Sequence, residues 1–344
     1  MIVRAKSPLR LGLAGGGTDV SPYCDTYGGC VLNAAIDMYA YCTIERCDSG
    51  FVEFNASDLG KSFKKELDGK PIALSDELIL HKAVYNRIVN QFNGGQDLSI
   101  VVTTHSDAPP GSGLGSSSTM VVSMLSAYQQ LLNLPFGEYD LAHLAFEIER
   151  KDCGLSGGKQ DQYATTFGGI NFIEFSAEDR VLVNPLRIKT SIINELESHI
   201  LLFYTGVSRD SSKIIDDQIS STASNQEKRL DAMHELKEIS YQMKECLLRS
   251  DIEGVGKILK KSWEAKVKTS SKISNDHINA ICSDAINNGA DAVKVSGAGG
   301  GGFIMVFVRP QLRYQVIKSL SVHNGTFYRF KFTNQGTESW VAQM

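Results

Sequence analysis

The chain has 344 residues, of which 42% are hydrophobic and 22% are charged, which is typical of a soluble globular protein. At roughly 100–200 residues per domain, this length predicts two domains, each large enough to bury a core. The formal net charge of −4 argues against a nucleic-acid partner. The seven cysteines lack CxxC or Cys/His spacing, which argues against a disulfide framework and a zinc site.

The sequence predicts neither a signal peptide nor a membrane span. Residues 1–6 lack the continuous apolar stretch of a signal peptide. The weakly charged stretch 114–134 carries a serine triplet and a glutamine pair, so it predicts a buried helix. We therefore expect a cytoplasmic protein whose partners include neither a membrane nor a nucleic acid.

The first half of the chain is predicted as strands punctuated by glycine, followed by helices. Residues rich in β-branched and aromatic side chains predict strands at 31–44, 51–54, 98–104 and 170–175. Helices are predicted at 116–132 and 139–152, the second from apolar residues at helical spacing. Glycine-rich loops lie between these elements.

The second half is predicted to contain longer helices. The pattern predicts helices at 226–249, 252–268 and 312–320, and strands at 292–296, 303–308 and 326–332. The change in character places a domain boundary near residue 185, giving domains 1–185 and 186–344.

The segment 109–118, Pro-Pro-Gly-Ser-Gly-Leu-Gly-Ser-Ser-Ser, joins a predicted strand to an uncharged helix. Glycines let backbone approach an anion, and the helix that follows directs free N–H groups toward it. A Walker A loop would end in Gly-Lys-Ser/Thr, and no lysine is present. A glycine turn that only caps a helix is the alternative, but the strand–loop–helix context favours phosphate binding. The candidate nucleotide-binding residues are Pro110, Gly111, Ser112, Gly113, Leu114, Gly115, Ser116, Ser117 and Ser118.

A second glycine run, at 296–303, fits the pattern G-x-G-x-x-G of dinucleotide-binding proteins. That fingerprint must open a helix, whereas six consecutive apolar residues at 303–308 predict a strand. A nicotinamide oxidoreductase is therefore disfavoured. The run is better interpreted as a loop that lets backbone come close to a ligand.

Two further segments carry charged residues in glycine-rich surroundings. Arg10 and Asp19 flank the run 15–17, where the cation could steady phosphate charge and the carboxylate could bind sugar hydroxyls. Asp161 follows Gly157 and Gly158 and is a candidate general base. Taken alone, each could equally be a structural residue, and Asp161 could form an Asx turn.

Together and in this order, the motifs resemble those of the GHMP kinases, over almost the whole chain from residue 7 to 308. The resemblance implies a two-domain α+β fold, with a ribosomal-S5-like N-terminal domain, a ferredoxin-like C-terminal domain and the active site in the cleft. It implies ATP and Mg²⁺ as cofactors. Asp161 falls at the family's catalytic aspartate, and Arg10 falls where the family has the Lys or Arg beside it. Ser117 and Glu149 fall at the metal ligands, with Glu147 in reserve.

The segment 15–19, here called the sugar loop, departs from the galactokinase pattern, because Gly16 and Gly17 replace Glu and His. With 28–37 and 263–274, it resembles the D-glycero-D-manno-heptose 7-phosphate kinases instead. That resemblance implies phosphorylation of the anomeric hydroxyl to the 1,7-bisphosphate, for nucleotide-activated heptose. A fucokinase-like sugar 1-kinase and an inactive sugar sensor on the same fold are the alternatives.

The resemblance implies a sugar-phosphate partner and leaves a homodimer open. The implied substrate-binding residues are Gly16, Gly17, Thr18, Asp19, Gly29, Arg209, Gly299 and Gly300. Thr205 and Ser211 fall in a phosphate-proximal segment. The candidate anchors for a distal sugar phosphate are Lys159, Arg209 and Lys294, which the sequence cannot rank.

Overall fold

The computed structural model describes residues 1–75, 77–207, 214–216, 227–270 and 272–343. The strands are β1 (Ile2–Ala14), β2 (Gly29–Arg46), β3 (Phe51–Ala56), β4 (Lys61–Glu66), β5 (Ile100–Ser106), β6 (Ile170–Phe175), β7 (Val181–Pro185), β8 (Ile200–Tyr204), β9 (Ala290–Val295), β10 (Phe303–Val308), β11 (Thr326–Tyr328) and β12 (Glu338–Val341). The helices are α1 (Tyr23–Tyr27), α2 (Ile79–Phe92), α3 (Ser116–Leu132), α4 (Glu138–Glu147), α5 (Gln160–Phe167), α6 (Thr190–His199), α7 (Glu227–Leu248), α8 (Ile252–Thr269), α9 (Asp276–Asn287) and α10 (Arg313–Leu320). A π-helix, Ile148–Asp152, follows α4, and a 3-10 turn, Pro310–Leu312, precedes α10.

The described strands form two sheets. The larger has the order β12-β1-β2-β5-β3-β4, and β6 extends it by pairing with the first residues of β2, with β7 next to β6. The smaller has the order β11-β8-β10-β9, with every pair antiparallel. Because β2 pairs with β6 over Gly29–Ala34 and with β5 over Ala40–Arg46, one long strand connects two parts of the larger sheet.

The two halves of the chain share one hydrophobic core. Leu9 and Leu11 of β1 pack in the same cluster as Leu202 of β8 and Phe303 of β10. The last strand, β12, returns to pair with β1 in the larger sheet. The boundary near residue 185 stays a prediction, although the sheets do divide after β7. No helix in the described part of the chain is long and apolar enough to cross a membrane.

Several predicted elements are confirmed, and others were missed. The strand, glycine loop and helix around 100–132 are present, as are the strands on either side of the second glycine run. No helix had been predicted at α2, and no strand had been predicted at β1. No helix had been predicted at α6 or α9 either. Asn275 was a signal for the start of α9, because asparagine is a favoured N-cap residue and its side chain accepts a hydrogen bond from Ile278 N–H.

Two predicted elements end earlier than expected. The strand at 326–332 stops at Tyr328, and Phe332 makes only an isolated bridge to Ile36. The helix at 139–152 becomes a π-helix after Glu147, where Cys153 N–H bonds to the Ile148 carbonyl at 2.9 Å. A π turn inserts an extra residue and changes the direction of the side chains that follow. Glu149, in this π-helix, is 1% exposed.

Candidate active site

A cavity of about 260 Å³, here called the cleft, lies where the glycine-rich loops of both halves meet. Loop residues 111–118, 155–158 and 297–301 form most of its wall. The predicted residues that line it are Arg10, Gly17, Asp19, Gly111, Ser112, Gly113, Gly115, Ser116, Ser117, Ser118, Glu149, Asp161 and Gly299. Segments distant in the sequence are thus brought to one site.

Other predicted residues lie beside the cleft without lining it. They are Pro110, Leu114, Gly16, Thr18, Gly29 and Gly300. The Leu114 carbonyl accepts the Arg10 backbone N–H at 3.2 Å, and Gly300 lines a smaller neighbouring cavity with Thr205. Arg209 and Ser211 lie outside the described residues.

Thr18 and Gly29 hold the sugar loop to β2. The Thr18 hydroxyl donates to the Gly15 and Cys30 carbonyls at 2.9 and 2.8 Å. A Cβ at Gly29 would lie 1.9 Å from the Thr18 carbonyl oxygen, so only glycine fits. Both residues therefore shape the loop through backbone contacts.

The start of α3 provides an anion-binding surface in the cleft. Its first intrahelical bond runs from Thr119 N–H to the Gly115 carbonyl at 2.9 Å. The N–H groups of the three preceding serines belong to the first turn, which has no intrahelical acceptors. The positive end of the helix dipole adds to them, so negatively charged phosphate is favoured at this point.

The two long glycine loops are in direct backbone contact. Phe303 N–H donates to the Ser112 carbonyl at 2.9 Å, and the Ser296 hydroxyl donates to the Gly113 carbonyl at 3.0 Å. A Cβ at Gly302, whose φ is 86°, would lie 2.2 Å from the Ser112 carbonyl oxygen. The second glycine run, 296–303, thus supports the conformation of the segment 109–118, here called the phosphate loop.

We expect Gly302→Ala to separate these loops, at a cost of about 1–3 kcal/mol in the free energy of unfolding and with weaker ATP binding. Thermal unfolding and nucleotide titration measure the two effects. Gly50→Ala is the matched control, because Gly50 has a φ of 70° but nothing within 4 Å of its Cβ position. Equal losses in both variants would show that backbone strain, rather than loop contact, is responsible.

Arg10 and Asp161 form an ion pair at the centre of the cleft. Arg10 Nε and a terminal guanidinium nitrogen donate to Asp161 Oδ1 at 2.8 and 2.7 Å. Arg10 also donates to the Gly113 carbonyl at 2.7 Å, and a Cβ at Gly115 would lie 3.2 Å from Asp161 Cγ. Both contacts are charge-assisted and converge on one oxygen, so Oδ1 of the carboxylate is held against the phosphate loop.

Ser117 and Glu149 place two hard oxygen ligands together. The Ser117 hydroxyl donates to Glu149 Oε1 at 2.9 Å, and Gln162 Nε2 donates to Glu149 Oε2 at 2.5 Å. In the described part of the chain, no three His, Cys, Asp or Glu side chains gather as a metal-binding group. Mg²⁺ commonly takes one or two protein ligands and completes its shell with substrate phosphates and water, so this pair fits it.

Glu147, the reserve metal ligand, is engaged elsewhere. Its carboxylate pairs with Lys151 at 2.8 Å and with Arg87 at 3.0 Å, and these two contacts, the first more than the second, lower the pKa of Glu147. Glu147 does not line the cleft. The geometry therefore favours Glu149 over Glu147 as the ligand.

Asp19 is fully buried and joins the sugar loop to α5. Its oxygens accept N–H groups from Gly17 and from the backbone and side chain of Gln160, each at 3.1 Å. Burial raises the pKa of Asp19, the charge of Asp161 raises it further, and the backbone donors lower it in part. Its predicted contact with sugar hydroxyls stays a prediction.

Two candidate anchors for a distal phosphate are engaged with the protein. Lys159 Nζ contacts Asp179 at 2.7 Å and Asp25 at 3.5 Å. Lys294 Nζ donates to the Gly12 carbonyl at 2.5 Å. Both lysines are 3% exposed, and neither lines the cleft.

Sequence reasoning missed several residues that the fold brings to the site. The Arg150 guanidinium contacts the carbonyls of Leu155, Ser156 and Gly158, and so orders the loop before α5. Lys266 enters the cleft from α8. No motif marks Arg150, and Lys266 had no predicted role although it lies in the segment 263–274, because both residues act through contacts made only in the folded chain.

Each half of the chain matches a model of a known protein family. The profile described as GHMP kinases N terminal domain matches residues 79–169. The profile described as GHMP kinases C terminal matches residues 243–323. These ranges contain the phosphate loop, Asp161, Lys266 and the second glycine run.

Individual relatives extend the similarity to the full length. The D-glycero-alpha-D-manno-heptose 7-phosphate kinase of Campylobacter jejuni is 46% identical over 339 residues, or 98% of each chain. A crystal structure named as a D-glycero-D-manno-heptose 1-phosphate kinase from Bacteroides thetaiotaomicron has a TM-score of 0.83 at 43% identity, covering 99% of this chain and 100% of that one. The L-fucokinase/L-fucose-1-P guanylyltransferase of Bacteroides fragilis is 27% identical over 93% of this chain and 36% of its own.

Proposed function

The chain belongs to the GHMP kinase family and is a sugar kinase, and we propose that it transfers the γ-phosphoryl of ATP to the anomeric hydroxyl of D-glycero-D-manno-heptose 7-phosphate. The product is the 1,7-bisphosphate, an intermediate toward nucleotide-activated heptose. The mixed α/β two-domain fold expected of this family is confirmed. The observation that carries the proposal is the Asp161–Arg10 pair, held against the phosphate loop in the shared cleft.

The geometry supports phosphoryl transfer by positioning and charge stabilisation, which dominate catalysis of this reaction. The N-terminus of α3 binds the ATP phosphates. Asp161 receives the sugar hydroxyl, either as the proton acceptor or as an electrostatic partner, while Arg10 fixes its orientation. Ser117 and Glu149 would hold Mg²⁺, which offsets phosphate charge when bound.

Two features support a heptose phosphate as the acceptor. The sugar loop has glycine at positions 16 and 17, where the galactokinase pattern has Glu and His. Both heptose kinase relatives are more than 40% identical to this chain, whereas the fucokinase relative is 27% identical. The names of the two heptose kinases place the phosphate at different positions, and the proposal follows the 7-phosphate of the Campylobacter relative.

We expect kcat/KM for heptose 7-phosphate to exceed that for the unphosphorylated heptose at least about tenfold. One charge-assisted contact to the phosphate contributes roughly 1.5–3 kcal/mol, and each 1.4 kcal/mol is about tenfold in affinity. A coupled assay of ADP release with heptose 7-phosphate, heptose, fucose and galactose makes the comparison.

The same panel separates the alternatives. Equal values for the two heptoses would show that no distal phosphate site exists. Preference for fucose would support the fucokinase-like alternative. Nucleotide binding without turnover of any sugar would support the inactive sensor.

A further inference from the structure

Lys266, near the C-terminal end of α8, reaches into the cleft from the second half of the chain. Its Nζ donates to the carbonyl oxygens of Gly16 at 3.3 Å and Gly297 at 2.8 Å. The side chain is 3% exposed and lines the same cavity as Arg10 and Asp161. The ammonium group thus lies where the sugar loop meets the loop that packs on the phosphate loop.

The protein offsets the charge of Lys266 only in part. The pKa of Lys266 is lowered to about 8, chiefly by burial, which the charge of Arg10 assists and the carboxylates of Asp19 and Asp161 oppose. Both carboxylates already have partners, since Asp161 is paired with Arg10 and Asp19 accepts N–H groups. An ammonium has three donors, and the two carbonyls account for two of them. An anion in the cleft would supply the missing charge and accept the third donor.

We propose that Lys266 donates a hydrogen bond to the phosphoryl group as it passes from ATP to the sugar, an inference that rests on the proposed function. The phosphates of ATP lie at the start of α3, and the reacting hydroxyl must approach Asp161. The transferred group passes between these two points, and Arg10 and Lys266 line the same cavity as Asp161, close enough that the charges of Arg10 and Asp161 shift the pKa of Lys266. The distal sugar phosphate lies at the other end of the acceptor.

In the reaction, the sugar oxygen forms a bond to the γ-phosphorus while the bond from phosphorus to the β,γ-bridging oxygen breaks. The electron pair of that bond leaves with ADP, and the hydroxyl proton is released to Asp161 or to solvent. Lys266 keeps its proton throughout and binds the phosphoryl oxygens, whose charge must be stabilised during transfer. It is therefore a catalytic residue that stabilises charge and transfers no proton.

Replacing Lys266 by Met removes the ammonium and keeps most of the side chain. We expect kcat to fall at least about tenfold, the effect of one lost charge-assisted hydrogen bond, with dissociation constants for ATP and acceptor nearly unchanged. Lys237→Met is the matched control: Lys237 Nζ donates to the Tyr27 carbonyl at 2.6 Å outside the cleft. Its kcat should equal that of the wild type.

The pH profile separates a charge contact from a structural one. Lysine is charged below its pKa, so kcat/KM of the wild type should fall as pH rises through about 8. The charged groups around Lys266 are Arg10 of β1, Asp19 of the sugar loop, Asp161 of α5 and Lys294 of β9. Lys266→Arg keeps its charge at higher pH, so it should retain turnover above that of the Met variant and extend the profile toward alkaline pH.

Three outcomes would overturn the inference. The first is an unchanged kcat in Lys266→Met. The second is a result in which both Lys266 variants have a lowered melting temperature and lose binding and turnover equally, while the pH profile of the Arg variant is unchanged. That result would assign a structural role to Lys266. The third is loss of the preference for the 7-phosphate over the unphosphorylated heptose in Lys266→Met, which would assign the lysine to the distal phosphate. If the wild type instead uses another sugar, the proposed acceptor is wrong, and the Lys266 comparisons apply to the sugar that it turns over.

Discussion

Asp161→Asn should reduce turnover at least about a hundredfold, the scale of losing a positioned acid–base group, while ATP binding stays nearly intact. Asparagine keeps the size of the side chain but removes the charge that Arg10 binds and that faces the acceptor hydroxyl. The phosphate loop and the N-terminus of α3 are unchanged, so the nucleotide site persists. Steady-state kinetics and nucleotide titration give the two quantities.

Asp152→Asn is the matched control for this substitution. Asp152 is also held by an arginine, with Arg87 donating to its two oxygens at 2.9 and 2.6 Å, but it does not line the cleft. The control should therefore keep wild-type turnover. Parallel losses of ATP binding and turnover in Asp161→Asn would contradict the assignment, because they would indicate a disturbed nucleotide site.

Glu149→Gln should raise the half-saturating Mg²⁺ concentration by about 10–100-fold, the range found when the residues that support a metal site are altered. Glutamine preserves the volume of a side chain that is 1% exposed, so the local packing is retained. What is lost is the negative charge beside Ser117. Ser117→Ala should shift the requirement in the same direction, because it removes the second oxygen ligand. Titration of activity with Mg²⁺ at saturating ATP measures both.

Glu147→Gln provides the comparison for Glu149→Gln. Glu147 lies two residues earlier and pairs with Arg87 and Lys151 away from the cleft, so its Mg²⁺ requirement should equal that of the wild type. If the Mg²⁺ requirement were unchanged in Glu149→Gln and raised in Glu147→Gln, the metal ligand would be Glu147 and the assignment to Glu149 would be wrong.

The short motifs could be predicted because their chemistry resides in neighbouring residues. Segment 109–118 combines glycines, serines and a following helix, so the local backbone alone creates a site for phosphate. The strand after the second glycine run was also correctly predicted, because six consecutive apolar residues do not suit an amphipathic helix. These patterns, with the family resemblance, predicted the fold and most residues that line the cleft.

The local conformations and the order of the chemical motifs can thus be predicted from neighbouring residues alone. Which side chains share the cleft depends on long-range packing, because contacts such as Arg10 with Asp161 join residues 151 positions apart. The π-helix after α4 decided the burial of Glu149, through a hydrogen-bond pattern that local apolar spacing does not specify. The packing of α8 places Lys266 in the cleft, where residues from both halves of the chain bury its side chain and accept its hydrogen bonds.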